Sequence, residues 1–180
     1  MAQGFRTNSL GTVGDGGPGR ARGWRGIPPV YGLLPLRVFL GVTFLYAGID
    51  KLTTHGFLDS SGPGSIGEMM HGVRDSAAIP ALVDLALKSP TGFGMAIALG
   101  ELAVGIGTLF GVFGRVAAAG GAVISLSLWL TVSWQSTPYY YGNDLAYLMA
   151  WLPLVLVGSP VLSFDSLRSG SGRGWRRRAL

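Results

Sequence analysis

The stretch Leu33-Leu-Pro-Leu-Arg37-Val-Phe-Leu-Gly41-Val-Thr-Phe-Leu-Tyr-Ala-Gly48-Ile-Asp50-Lys51-Leu52 carries no charge except Arg37 near one end and Asp50 and Lys51 at the other. Twenty helical residues span about 30 Å, the thickness of a bilayer's hydrocarbon core. A charge at the centre of such a helix costs ~2.5–3.5 kcal/mol, so ionisable groups retained inside one face other helices or a wet cavity. The stretch therefore reads as a transmembrane helix with work to do inside the membrane, and not as a bare anchor.

The rest of the chain agrees. Of 180 residues, 48% are hydrophobic, 13% are charged and 30 are glycine, with a mean hydropathy of +0.42. That balance is foreign to a water-soluble domain and natural for close-packed membrane helices. Three further apolar segments, at 93–113, 116–135 and 143–159, have the length of a span. The expectation is an all-α membrane protein: a four-transmembrane-helix bundle over 31–165, a disordered basic arm over 1–30 and a basic tail over 166–180.

Charge sets the orientation. Placing the N-terminus in the cytoplasm puts Arg6, Arg20, Arg22, Arg25, Arg37, Arg115, Arg168, Arg173, Arg176, Arg177 and Arg178 inside, eleven of the fourteen basic residues, and leaves Lys51, Arg74 and Lys88 outside. Both termini are thus expected in the cytoplasm of a bacterial-type plasma membrane, with the 53–92 and 136–142 connections facing outward. A pI near 10 has the same origin; the arginines sit in two tails and are not interleaved with aromatics on a folded face, so nucleic acid is not the expected partner. The lipid bilayer is.

The absence of cysteine excludes disulfides, thiolate-ligated zinc, iron–sulfur clusters and a persulfide intermediate. His55 and His71 share one connection, so facing helices offer no pair of imidazoles to a haem. No haem, metal or flavin is expected in this chain. The string Gly105-Ile-Gly107-Thr-Leu-Phe-Gly111 lies inside an apolar helix with no preceding strand, which excludes a dinucleotide site.

The outer 53–92 connection is too long for a turn. Ile66, Met69, Met70, Val73 and Ala77 recur at helical spacing, and Pro80 suits the first turn of a helix carrying Leu82, Val83, Leu85 and Leu87. Two short interfacial helices are expected, capping the bundle or closing over a site.

Candidate chemistry lies with the intramembrane charges. Lys51 falls ~10 Å and Glu101 ~3 Å above the midplane of their spans, a gap that two long side chains close. A Lys51–Glu101 pair follows, with Asp50, Asp144, Asn143, Trp134, Tyr139, Tyr140 and Tyr141 at the same outer level. Each has a plainer reading: interface anchors for the aromatics, snorkelling for Lys51, a helix cap for Asp144, and an inner anchor or helix–helix tie for Arg37.

The pattern Arg37-x-x-Leu40-Gly41-x-x-Phe44-Leu45-x-Ala47-Gly48-x-x-Lys51-Leu52, then Gly100-Glu101-x-x-x-Gly105, Gly111-x-x-Gly114-Arg115-x-Ala117-Ala118 and Tyr141-Gly142-Asn143-Asp144-Leu145 resembles the DoxX/DoxD family of four-helix membrane proteins over 33–160. The resemblance implies a membrane subunit like that of thiosulfate:quinone oxidoreductase, which oxidises thiosulfate to tetrathionate and reduces quinone as co-substrate. It implies catalytic roles for Lys51, Glu101 and Asp144. Lys51 would hold a sulfur oxyanion, Glu101 would exchange a proton with quinone, and Asp50, Asn143, Trp134 and Tyr139–Tyr141 would line the substrate and quinone site. A soluble redox subunit and a second copy of the chain are the protein partners it allows. Two other readings differ in kind: a non-catalytic scaffold that docks soluble redox enzymes through its basic tails, and a small proton-coupled transporter, which the strong charge bias and long outer connection disfavour.

Overall fold

A computed structural model describes residues 31–158; the two basic tails expected at 1–30 and 166–180, and the last residues of the 31–165 domain, lie outside the described residues. Six helices follow in order: α1 Leu34–Thr53, α2 Ile66–Val73, α3 Pro80–Leu87, α4 Pro90–Phe110, α5 Gly114–Thr131 and α6 Asn143–Val157. Among the described residues there is no strand.

Local chemistry sets the ends. Prolines open α1, α3 and α4, where the missing N–H has no helical partner to lose. Ser65 caps α2 by accepting from the Glu68 N–H at 3.1 Å, and the Glu68 carboxylate accepts from the Gly64 N–H at 2.8 Å, a variant of the capping box that Ser65-x-x-Glu68 encodes. Gly111, at φ 63°, ends α4 in the left-handed conformation that favours glycine.

The long helices reverse the soluble pattern. Val38, Phe39, Val42, Tyr46 and Ile49 on α1, Leu99, Ile106 and Phe110 on α4, Val116 and Val123 on α5, and Met149, Leu152 and Leu156 on α6 all face outward. Polar Arg37, Glu101, Thr108 and Ser125 are buried instead. So much exposed apolar surface is stable only in contact with another apolar phase. α4 and α5 are long and apolar enough to cross a membrane on length and composition alone; α1 has the length but carries three charges, and α6 has 15 residues.

Glycine decides how closely α1 and α4 approach. A Cβ on Gly105 would stand 2.7 Å from the Leu45 backbone nitrogen, and one on Gly48 2.7 Å from the Ala98 carbonyl oxygen, so backbone meets backbone there. Gly121 does the same service for α6, because a Cβ would overlap the indole of Trp151. Two cores result. Leu40, Phe44, Val104, Ala118, Trp151 and Leu154 fill the bundle, with Trp151 edge-on to Phe44 at 4.9 Å. Ile66, Met70, Val73, Val83 and Ala86 form a second core beneath the outer cap.

Candidate functional site

The charged pair expected from the sequence forms. Lys51 lies in the last turn of α1, and Gly48 lets α4 come close enough for the Lys51 ammonium to reach Glu101. Nζ donates to Oε1 at 3.0 Å and stands 2.9 Å from Oε2. The Glu101 side chain is 4% exposed and that of Lys51 22% exposed, so one partner is enclosed by the bundle and the other meets the outside. A second, weak donation runs from Nζ to the Ala47 carbonyl at 3.5 Å.

Asp144, in the first turn of α6, accepts from the Ser133 hydroxyl and lies within electrostatic reach of both Lys51 and Glu101. It is not the helix cap, since Gly142 holds that position without a side-chain bond. Three helices thus bring two carboxylates and one ammonium to the end of the bundle that α2 and α3 cap. Asp50 and Asn143 are exposed. Trp134 packs against Trp129 at 5.3 Å, and Tyr139, Tyr140 and Tyr141 form an exposed 3₁₀ turn whose rings contact one another edge-on.

Between pair and cap lies a cavity of about 60 Å³. Its wall comes from Lys51, from Phe57 in the following loop, from Met69 and Met70 on α2, and from Phe93 and Ile97 on α4, with α5 closing the back. Met69 and Met70 were evident as one helical face; that the face closes over Lys51 depends on how the 56–65 loop docks, through the Ile66 N–H to Phe57 carbonyl bond of 2.7 Å. The cap is held on its far side by Arg74 of the α2–α3 turn, which forks onto Asp84 at 2.5 and 3.2 Å. Hydrogen bonding and charge from Asp84, with Asp75 adding, hold the exposed Arg74 guanidinium above its ordinary pKa.

Arg37 belongs elsewhere. It is 5% exposed and donates to the Leu109 carbonyl at 3.1 Å, tying the start of α1 to the end of α4. Between the outer faces of α4 and α5, Gly100, Gly107, Ala117 and Gly120 leave an apolar groove of about 890 Å³.

This arrangement defines a charged site enclosed by the helices of a small membrane protein. The chain matches the DoxX family over residues 32–134, more than half its length, and it belongs to that family. The match holds Lys51, Glu101 and Ser133 and ends before Asp144. Comparison with curated proteins and with solved structures returns no match.

Proposed function

We propose that the chain is a four-span membrane redox protein, with both termini in the cytoplasm, that oxidises a sulfur oxyanion of the thiosulfate type at its outer end and passes the electrons to quinone. The charge asymmetry of the sequence supports the orientation, and DoxX membership supports the redox class. The observation that carries the reading is the Lys51–Glu101 pair, half enclosed and half open, beside a cavity.

An anion approaching from outside meets Lys51 first. Its ammonium cannot serve Glu101 and a dianion equally, so as the ligand takes over Nζ, Glu101 is relieved of its counter-charge and takes up a proton. That proton is then available to a quinone being reduced. The balance is complete with two thiosulfates: each loses one electron, their terminal sulfurs join in tetrathionate, and quinone gains two electrons and two protons, one through Glu101 and one from the aqueous phase, to become quinol. No thiol of this chain takes part, because it has none. The cavity holds about two waters' share of liquid volume, too little for a quinone ring. Quinone therefore arrives from the hydrocarbon side, where the α4–α5 groove accommodates an apolar tail.

The test is thiosulfate-dependent reduction of an added quinone by proteoliposomes, with any co-purifying subunit retained. Lys51→Ala should raise KM, and Glu101→Gln should mainly lower kcat. Absence of any thiosulfate-dependent reduction in the wild-type protein overturns the redox reading and leaves a scaffold as the better account.

A further inference from the structure

Three polar side-chain atoms inside the bundle, Glu101 Oε2 on α4, Ser125 Oγ on α5 and Trp151 Nε1 on α6, are buried without a hydrogen-bond partner among the described residues. We infer that they hold ordered water between them, and that this water serves the Glu101 oxygen that Lys51 leaves unserved. Nζ donates to Oε1; it stands 2.9 Å from Oε2 without the geometry of a hydrogen bond.

Helix register brings the three to one level. A Cβ on Gly100 would meet Ile124 at 3.4 Å and one on Gly120 would meet Val104 at 3.1 Å, so α4 and α5 run side by side with 100 opposite 124 and 104 opposite 120. Glu101 and Ser125 are the next residues along, both turned into the bundle, and their levels differ by about 3 Å. The Glu101 side chain leans toward the start of α4, which narrows that gap. Trp151 reaches the same place from α6. A Cβ on Gly121 would overlap its Cε2, the ring atom bonded to Nε1, and Ser125 lies one turn beyond Gly121 on the same face of α5. The start of α6 meets the end of α5 through Ser133 and Asp144, so the indole, leaning toward the start of its helix, leans toward Ser125.

The donors and acceptors match water. Trp151 can only donate, the ionised Glu101 can only accept, and a serine hydroxyl does either. A water that accepts from the indole, donates to Oε2 and bonds Ser125 in whichever sense remains makes three hydrogen bonds, the usual number for a buried one. An anion would meet the Glu101 carboxylate, and a cation would meet the indole N–H and the Lys51 ammonium, so the neutral molecule is the one that suits all of them. Left unserved, each group would weaken folding about tenfold. Thr108 Oγ1 is buried and unpartnered too, but two turns along α4 from Glu101, about 10 Å, it lies too far off to share that water. Such water is present whatever ligand Lys51 meets on its exposed side.

Two measurements on the purified full chain in detergent micelles test this. The first is cross-relaxation between water and the Trp151 indole N–H in protein labelled with ¹⁵N-tryptophan, the resonance being assigned by elimination from Trp24→Phe, Trp129→Phe, Trp134→Phe and Trp175→Phe. A cross-peak with the sign of a long-lived water contact is expected. It should persist in Ser125→Ala and in Tyr147→Phe, which rules out a hydroxyl proton as its source. The second is reversible unfolding of Ser125→Ala. A hydroxyl without a partner is better removed, so the variant would then be as stable as the parent or more so; bound to water, its loss should raise the unfolding equilibrium constant about five- to tenfold. In a Lys51→Met/Glu101→Leu background, where the water has lost its acceptor, the same change should have less than about threefold effect. If that background does not fold, the cross-peak and the sign of the Ser125→Ala effect decide. No cross-peak, a cross-peak lost with either hydroxyl, a neutral or stabilising Ser125→Ala, or an equal effect in both backgrounds overturns the shared water site.

Discussion

Removing Lys51 while keeping Glu101 exposes what the ion pair contributes. At a separation near 3 Å and an effective dielectric of ~20, two unit charges attract by about 5 kcal/mol. Lys51→Met does not forfeit all of it, because Glu101, 4% exposed, has an escape: it takes a proton. Neutralising a carboxyl at pH 7 costs about 1.4 kcal/mol per pH unit above its ordinary value of ~4.3, close to 3.7 kcal/mol. The smaller quantity sets the limit, so Lys51→Met should lose about 3–4 kcal/mol at pH 7. At pH 5 the same escape costs about 1 kcal/mol, so most of the loss should vanish as pH falls. The double variant Lys51→Met/Glu101→Gln leaves no charge to compensate and should recover about 2–3 kcal/mol of the loss. Reversible unfolding in mixed micelles, followed by tryptophan fluorescence at both pH values, measures all four corners of the cycle. Single-variant losses that add within ~0.5 kcal/mol and do not change with pH would refute the buried pair.

Gly105→Ala drives a methyl into the Leu45 and Gly41 backbone of α1 and should cost about 1–3 kcal/mol in the same assay, whereas Ala at exposed Gly72, where a Cβ meets nothing, should not destabilise. Gly121→Val should cost more than Gly105→Ala, because it displaces the fully buried Trp151 that fills the bundle core. Arg74→Gln should leave the bundle's unfolding midpoint nearly unchanged and speed amide hydrogen exchange in α2 and α3, since it releases the fork onto Asp84. Reporters fused after Leu180 should read cytoplasm and reporters inserted near Ser61 should read outside; the reverse would move the site to the other face of the membrane.

Helix positions, the outer cap and the charged partners follow from the chain alone. Composition over about twenty residues decides whether a segment is stable as an apolar helix, and that property is local. The expected spans at 33–52, 93–113, 116–135 and 143–159 accordingly differ from α1, α4, α5 and α6 by a few residues at their ends, where Pro90 and Gly111 act as start and stop. Lys51 and Glu101 meet because a helix rises at a constant rate, so depth can be counted along the sequence. Rotation of one helix against the next cannot be counted that way. It arises from many weak contacts between residues far apart in sequence, and the glycines that permit the closest of them have no side chain to declare which neighbour they face. Tertiary structure alone therefore turned Arg37 inward onto Leu109, paired Ser133 with Asp144, set Trp134 against Trp129 with the rings tilted and left Tyr139–Tyr141 exposed. It also folded Met69 and Met70 over Lys51, and the walls of that cavity come from five separate segments whose meeting no local pattern encodes.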